Sequence, residues 1–217
     1  MSTSDPIEID TPRGPARAHL LRPEGEALGA LVLGHGAGGS VTAPDLQAAA
    51  KAGTAAGFVV VLVEQPYRVA GRKSSPPAPH LDEAWTAVLA QLRGDGPLQT
   101  LPVITGGRSA GARVACRTAA ATGAAGVVCL AFPLHPPQRD ASKPRPTRLP
   151  ELEAVTVPVL VVQGVNDRFG MPPEAPGRTV VQVDGDHALR KGVKAIGEAV
   201  AGWARELVAH PAGTSGR

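Results

Sequence analysis

Aromatic residues make up only 3% of this 217-residue chain, too few for the stacking platforms that hold single-stranded nucleic acid. Charge of one sign is not in excess either: 22 basic residues face 19 acidic ones, for a net charge of +3. The basic residues are scattered, so no cationic stripe points to a nucleic-acid partner. Cysteine occurs twice, as Cys116 and Cys129; both fall in apolar surroundings and read as small buried hydrophobes, not as a disulfide framework. That usage implies a reducing, cytoplasmic setting. No apolar run approaches the roughly 18 residues of a membrane span. Met1 to Pro6 also lack the basic region and apolar core of a secretory signal. Internal repeats and domain linkers are missing too, so a single domain over residues 1–210 is expected, with a disordered tail at 211–217.

What is present is an alternation of apolar runs with helix-like segments, the pattern of a mostly parallel α/β sheet. Ile7–Ile9 and Ala16–Leu21 flank Thr11-Pro12-Arg13-Gly14-Pro15 and predict an antiparallel N-terminal hairpin. Further strands are expected at Ala30–Leu33, Phe58–Val63, Leu101–Thr105, Gly126–Phe132, Val157–Gln163 and Thr179–Val183. Several are uninterrupted apolar runs, as expected where helices cover both faces. Helices are predicted at Pro44–Ala56 with Thr42 as N-cap, His80–Leu92, Ala112–Ala121 and Lys191–Val208. Glu64–Pro79 and the six-proline segment Pro133–Pro150 read as loops.

The chemistry concentrates in Gly107-Arg108-Ser109-Ala110-Gly111, a G-x-S-x-G motif between a predicted strand and an alanine-rich helix. At such an elbow the serine takes a strained backbone conformation and presents its hydroxyl at the carboxyl edge of the sheet. With 26 glycines in the chain, the five residues alone could be a chance match, so the context decides. After the strand at Val157–Gln163 comes Asp167, and after Thr179–Val183 comes His187. Ser109, Asp167 and His187 thus follow in the order this kind of elbow requires, each just past a strand. Histidine would take the serine proton and return it to a leaving group, and the aspartate would orient the ring. Asp184 and Asp186 are nearer His187 in sequence, but immediate neighbours point away from the ring.

Gly34-His35-Gly36-Ala37-Gly38-Gly39 follows the strand at Ala30–Leu33. In a hydrolase this turn supplies one oxyanion-hole amide and the residue after the nucleophile the other, here Ala37 and Ala110. The same residues satisfy G-x-G-x-x-G with Glu64 ending the next strand, the outline of a dinucleotide site. Ser40 to Pro44 separate the glycines from the predicted helix, however, and a nucleotide would leave Ser109, Asp167 and His187 unexplained. His35 is read as a structural loop histidine that could border the pocket. His135, past a strand end, is a second candidate for lining it, and Glu64 receives no catalytic role. Neither cofactor nor metal is expected.

Taken together, Gly34–Gly39, Gly106–Ala115, Phe132-Pro133-Leu134-His135-Pro136-Pro137, Gln163–Gly170 and Gly185–Leu189 resemble a small α/β-hydrolase-like family that includes testis-expressed protein 30 and a chromatin-complex subunit domain. Dienelactone hydrolases are more distantly similar, though they use cysteine as nucleophile. The resemblance implies an α/β-hydrolase fold with the triad on Ser109, Asp167 and His187; the order of elements along the chain leaves little room for a lid domain. The function expected is a cofactor-independent serine hydrolase that cleaves a small ester, thioester or related acyl substrate through an acyl-enzyme. A binding or scaffold protein on the same fold is the alternative, and acyl transfer on the same triad is not distinguished from hydrolysis. Substrate and oligomeric state, monomer or homodimer, stay open.

Overall fold

The computed structural model describes residues 5–94, 96–137, 142 and 144–210; the tail expected at 211–217 lies outside them. Eight strands form one sheet: β1 (Ile7–Ile9), β2 (Ala16–Leu21), β3 (Gly29–Gly34), β4 (Phe58–Glu64), β5 (Val103–Arg108), β6 (Gly126–Leu130), β7 (Val159–Gly164) and β8 (Arg178–Val183). Their spatial order is β1-β2-β4-β3-β5-β6-β7-β8. β2 runs antiparallel to both β1 and β4, and every pair from β4 to β8 is parallel. Strands β3, β6 and β7 are buried throughout, which is why they read as unbroken apolar runs instead of alternating ones.

The helices are α1 (Pro44–Ala55), α2 (Pro66–Val69), α3 (Ala78–Arg93), α4 (Ala110–Thr122), α5 (Leu149–Glu153) and α6 (Val193–Ala209). One core layer joins Leu46 of α1 and Ile196 and Val200 of α6 to Leu31, Leu33, Val60 and Val162 of the sheet. On the opposite face Leu81, Trp85 and Leu89 of α3 pack on Ala30, Val32 and Val61, while Ala112 and Ala115 of α4 pack on Val127 and Val161. The chain adds β4 on one side of β3 and then crosses to β5 on the other. The crevice at this reversal, at the carboxyl ends of the strands, is where open α/β sheets hold their ligands.

Three local expectations change. Thr42 does not cap α1: the N-cap is Ala43, without a side-chain bond, and Thr42 Oγ1 instead pairs with Ser40 Oγ at 2.7 Å. Pro44 in the first turn holds the residue before it extended, which places the cap one position later. The supposed loop after β4 contains α2, whose Pro66 and Tyr67 are buried. The proline-rich segment ends in α5, the only helix between β6 and β7 among the described residues. Cys116 and Cys129 are free and buried with sulfurs 3.5 Å apart; the neighbouring thiol and burial hold Cys129 well above the usual thiol range. Among the described residues no helix is long and apolar enough to cross a membrane, and no group of three His, Cys, Asp or Glu side chains is placed to hold a metal.

Candidate active site

Strand β5 runs through Gly106 and Gly107 to Arg108, and α4 begins at Ala110. Ser109 is the single residue between them, at φ 52° and ψ −105°, a left-handed backbone that an L-residue holds only under constraint. The constraint is visible. The Ser109 amide donates to the Leu130 carbonyl at 2.9 Å, and the backbone of β3 presses on both flanking glycines. A Cβ on Gly107 or on Gly111 would collide with the Gly34 carbonyl oxygen. Only glycine fits either place, and the serine side chain is turned outward over the edge of the sheet.

His187 reaches this hydroxyl from the loop between β8 and α6. Its Nε2 lies 3.0 Å from Ser109 Oγ, and its Nδ1 lies 2.8 Å from Asp167 Oδ2. The Asp167 carboxylate offers only acceptors, so Nδ1 carries the ring proton and Nε2 is free to accept from the serine hydroxyl. Asp167 is itself tightly held: its side chain is 1% exposed. The Gln163 amide donates to Oδ2 at 2.9 Å, and the Phe169 amide donates to Oδ1 at 2.9 Å. Those donors satisfy both oxygens of the buried side chain. The Phe169 ring stands edge-on to the His187 imidazole, with centroids 4.5 Å apart, and closes one side of the ring. Asp184 and Asp186 are exposed, and Asp186 Oδ1 accepts from the Ala188 amide at 2.9 Å; the carboxyl that meets His187 Nδ1 is that of Asp167.

The turn after β3 lies against the serine. A Cβ on Gly36 would sit 3.6 Å from that of Ser109, and the Gly39 amide closes the turn onto the Gly36 carbonyl at 3.0 Å. The Ala37 carbonyl is held by the Tyr67 hydroxyl at 2.7 Å, while its amide has no backbone carbonyl partner among the described residues. Ala110 opens α4, so its amide has no carbonyl one turn back and carries the positive end of the helix dipole.

His35 anchors this turn and is 3% exposed. Its Nδ1–H donates to the Gly36 carbonyl at 2.9 Å, and its Nε2 accepts from the Gln65 amide at 3.1 Å. Both nitrogens are therefore engaged with the backbone and not with a substrate. Burial lowers its pKa below the ordinary 6.5, although the Gly36 carbonyl opposes this. As pH falls through that value the unfolded chain binds a proton that the folded one refuses, so stability present above it is lost toward acid. Urea midpoints are expected to fall from about pH 7.5 to about pH 5.5, with a shallower fall in His35→Gln. Equal slopes in the two proteins would contradict this account.

The other candidates lie apart from the hydroxyl. Glu64 pairs with His19 Nε2 at 3.1 Å, away from the site. The His135 amide donates to the Phe169 carbonyl at 2.8 Å and its Nδ1 to the Pro146 carbonyl at 2.8 Å, so it fastens the proline-rich segment to the Asp167 loop. Reading the sequence missed Gln163, Tyr67 and the buried pair of Asp45 and Arg108. A polar residue closing a buried strand four positions before Asp167 was the available signal for Gln163. Asp45 and Arg108 lie 63 positions apart and carried no local signal.

Two comparisons bear on this geometry. Residues 27–202 match the alpha/beta hydrolase domain family. A lidless a/b serine hydrolase of Xanthomonas campestris shares the fold at a TM-score of 0.71 and 20% identity, covering 95% of each chain. Est1E of Butyrivibrio proteoclasticus gives 0.75 at 16% identity, over 95% of this chain and 100% of that one. A dienelactone hydrolase of Anabaena variabilis gives 0.74 at 16%, over 94% and 97%. No curated protein sequence matches the chain. The family match spans the sheet from β3 to β8 and includes the elbow, the Asp167 loop and the His187 loop: the chain belongs to the alpha/beta hydrolase domain family.

Proposed function

We propose that the protein is a serine hydrolase that cleaves a small ester, thioester or related acyl substrate. The observation that carries this reading is the unbroken chain from Asp167 Oδ2 to His187 Nδ1 at 2.8 Å and from His187 Nε2 to Ser109 Oγ at 3.0 Å. Ser109 Oγ attacks the acyl carbon as its proton passes to His187 Nε2. The negative charge that develops on the carbonyl oxygen is met by the Ala37 and Ala110 amides. Collapse of the tetrahedral species breaks the bond to the leaving group, which takes the proton from His187, and Ser109 is left acylated. A water, deprotonated by His187, then attacks the acyl-enzyme; the acid departs and the proton returns to Ser109 Oγ. Asp167 keeps the imidazole in the required tautomer throughout.

A groove lined by Pro136, Pro137, Arg145 and Arg168 lies beside Phe169, whose ring stands edge-on to His187. The test is covalent labelling by a fluorophosphonate, followed by turnover of para-nitrophenyl esters of graded chain length. Labelling mapped to the Ser109 peptide and lost in Ser109→Ala is expected. Folded wild-type protein that does not label, or equal labelling of the variant, overturns the reading.

A further inference from the structure

Arg108, the residue before Ser109 in the elbow, has a partly buried guanidinium that is approached from several sides. Its side chain is 16% exposed, and Nε lies 2.9 Å from Oδ2 of Asp45, whose side chain is wholly buried in the first turn of α1. On the other side Nη2 donates to the His187 carbonyl at 2.8 Å. It is the only side chain among the described residues that bonds the backbone of His187 itself. Nη1 lies against the turn after β3: a Cβ on Gly36 would come within 3.1 Å of it, and one on Gly39 within 4.0 Å. A single planar cation thus touches α1, the base-bearing loop and the turn that carries Ala37, from the position next to Ser109. Only a guanidinium presents several donors in a fixed fork across such a span; an ammonium is a point charge on a flexible stem.

We propose that the Arg108–Asp45 pair is a positioning device that sets His187 and the Gly36–Gly39 turn against Ser109. The inference rests on the reading of Ser109 and His187 as nucleophile and base. Asp167 fixes the ring at Nδ1, but a ring is fully placed only when its own backbone is also fixed, and the Arg108 bond to the His187 carbonyl does this. Asp45 holds the fork in orientation. Burial pushes the Asp45 carboxyl above the usual carboxylate range, and Arg108 is the largest influence opposing that, so neither partner is well accommodated alone.

The test separates positioning from charge neutralisation. Arg108→Lys keeps a cation beside Asp45 but cannot span to the His187 carbonyl. The double variant Arg108→Gln with Asp45→Asn removes both buried charges together and leaves no lone ion. Both are expected to fold, with kcat lower by about 10²-fold, the scale of a misplacement of about 1 Å, while KM stays within about threefold. In Arg108→Ala, guanidinium ion at tens of millimolar is expected to restore part of kcat, and in Ser109→Ala to restore none. Recovery of wild-type kcat by the double variant would overturn the proposal, as would an Arg108→Ala protein that folds and turns over at the wild-type rate. If Arg108→Ala does not fold, the double variant decides alone. Failure of wild-type protein to label with fluorophosphonate removes the parent reading, whereas a wild-type protein that labels beside a double variant with undiminished kcat overturns this inference alone, so the two failures are distinguishable.

Discussion

Ser109→Ala is expected to leave the fold intact and to lower kcat by about 10⁴- to 10⁶-fold, the range seen when a triad nucleophile is removed. Among the described residues the hydroxyl's one polar contact is with His187 Nε2, so its removal costs no other bond there. Far-ultraviolet dichroism and the melting temperature should therefore match those of wild type, while ester turnover and labelling vanish. His187→Ala should cost a similar factor, because a serine without its base is a poor nucleophile. The combination is expected to fall no further than either single change, since the residues act as one unit. Losses that multiply in the double variant would show that Ser109 and His187 contribute separately, and the assigned roles would then be wrong.

Gly107→Ala is the substitution expected to do most harm to the fold. Gly107 has φ 156°, and its new methyl would collide with the Gly34 carbonyl oxygen while lying 2.9 Å from Gly34 N and 3.0 Å from the Gly111 carbonyl carbon. All three neighbours are main chain, in β3 and α4, so no side chain can rotate away. Overpacking against rigid surroundings costs about 3 kcal/mol or more. For a chain of this size that corresponds to a fall in melting temperature of about 6–12 °C. The strain also pushes on β3 just before His35 and Ala37, so residual folded protein should be impaired in turnover as well. Gly38→Ala is the control, since a Cβ there meets nothing within 4 Å. A Gly107→Ala protein that melts as Gly38→Ala does would refute the steric account of the elbow.

The sheet was legible in the sequence because its strands are buried on both faces and read as unbroken apolar runs, as at Phe58–Val63. The sites of Ser109, Asp167 and His187 were legible because each sits just past such a run. What was not legible has a common cause. Helix α2 is four residues long and α5 five, too short for periodicity to emerge. Tyr67 reaches the Ala37 carbonyl over 30 positions, and Arg108 reaches Asp45 from the far side of the sheet reversal. Charged and polar residues read singly are assigned to solvent; only the fold shows that these two charges are shared and buried. His35 reads as a loop histidine, and of its two backbone bonds only the one to the Gly36 carbonyl is local; the other comes from the Gln65 amide, which β4 brings alongside.

The 78 positions between Ser109 and His187 also govern when the chain can become reactive during its synthesis. The elbow needs only β3, β5, β6 and α4 to close, yet its serine meets a base only after β8 has joined the open edge of the sheet, where β7 is its sole neighbour. If Ser109 and His187 act as proposed, a ribosome-bound chain that ends before this strand carries the serine without its histidine and is expected to be silent. Activity would then arise late in biogenesis, and its appearance would report that β8 has docked.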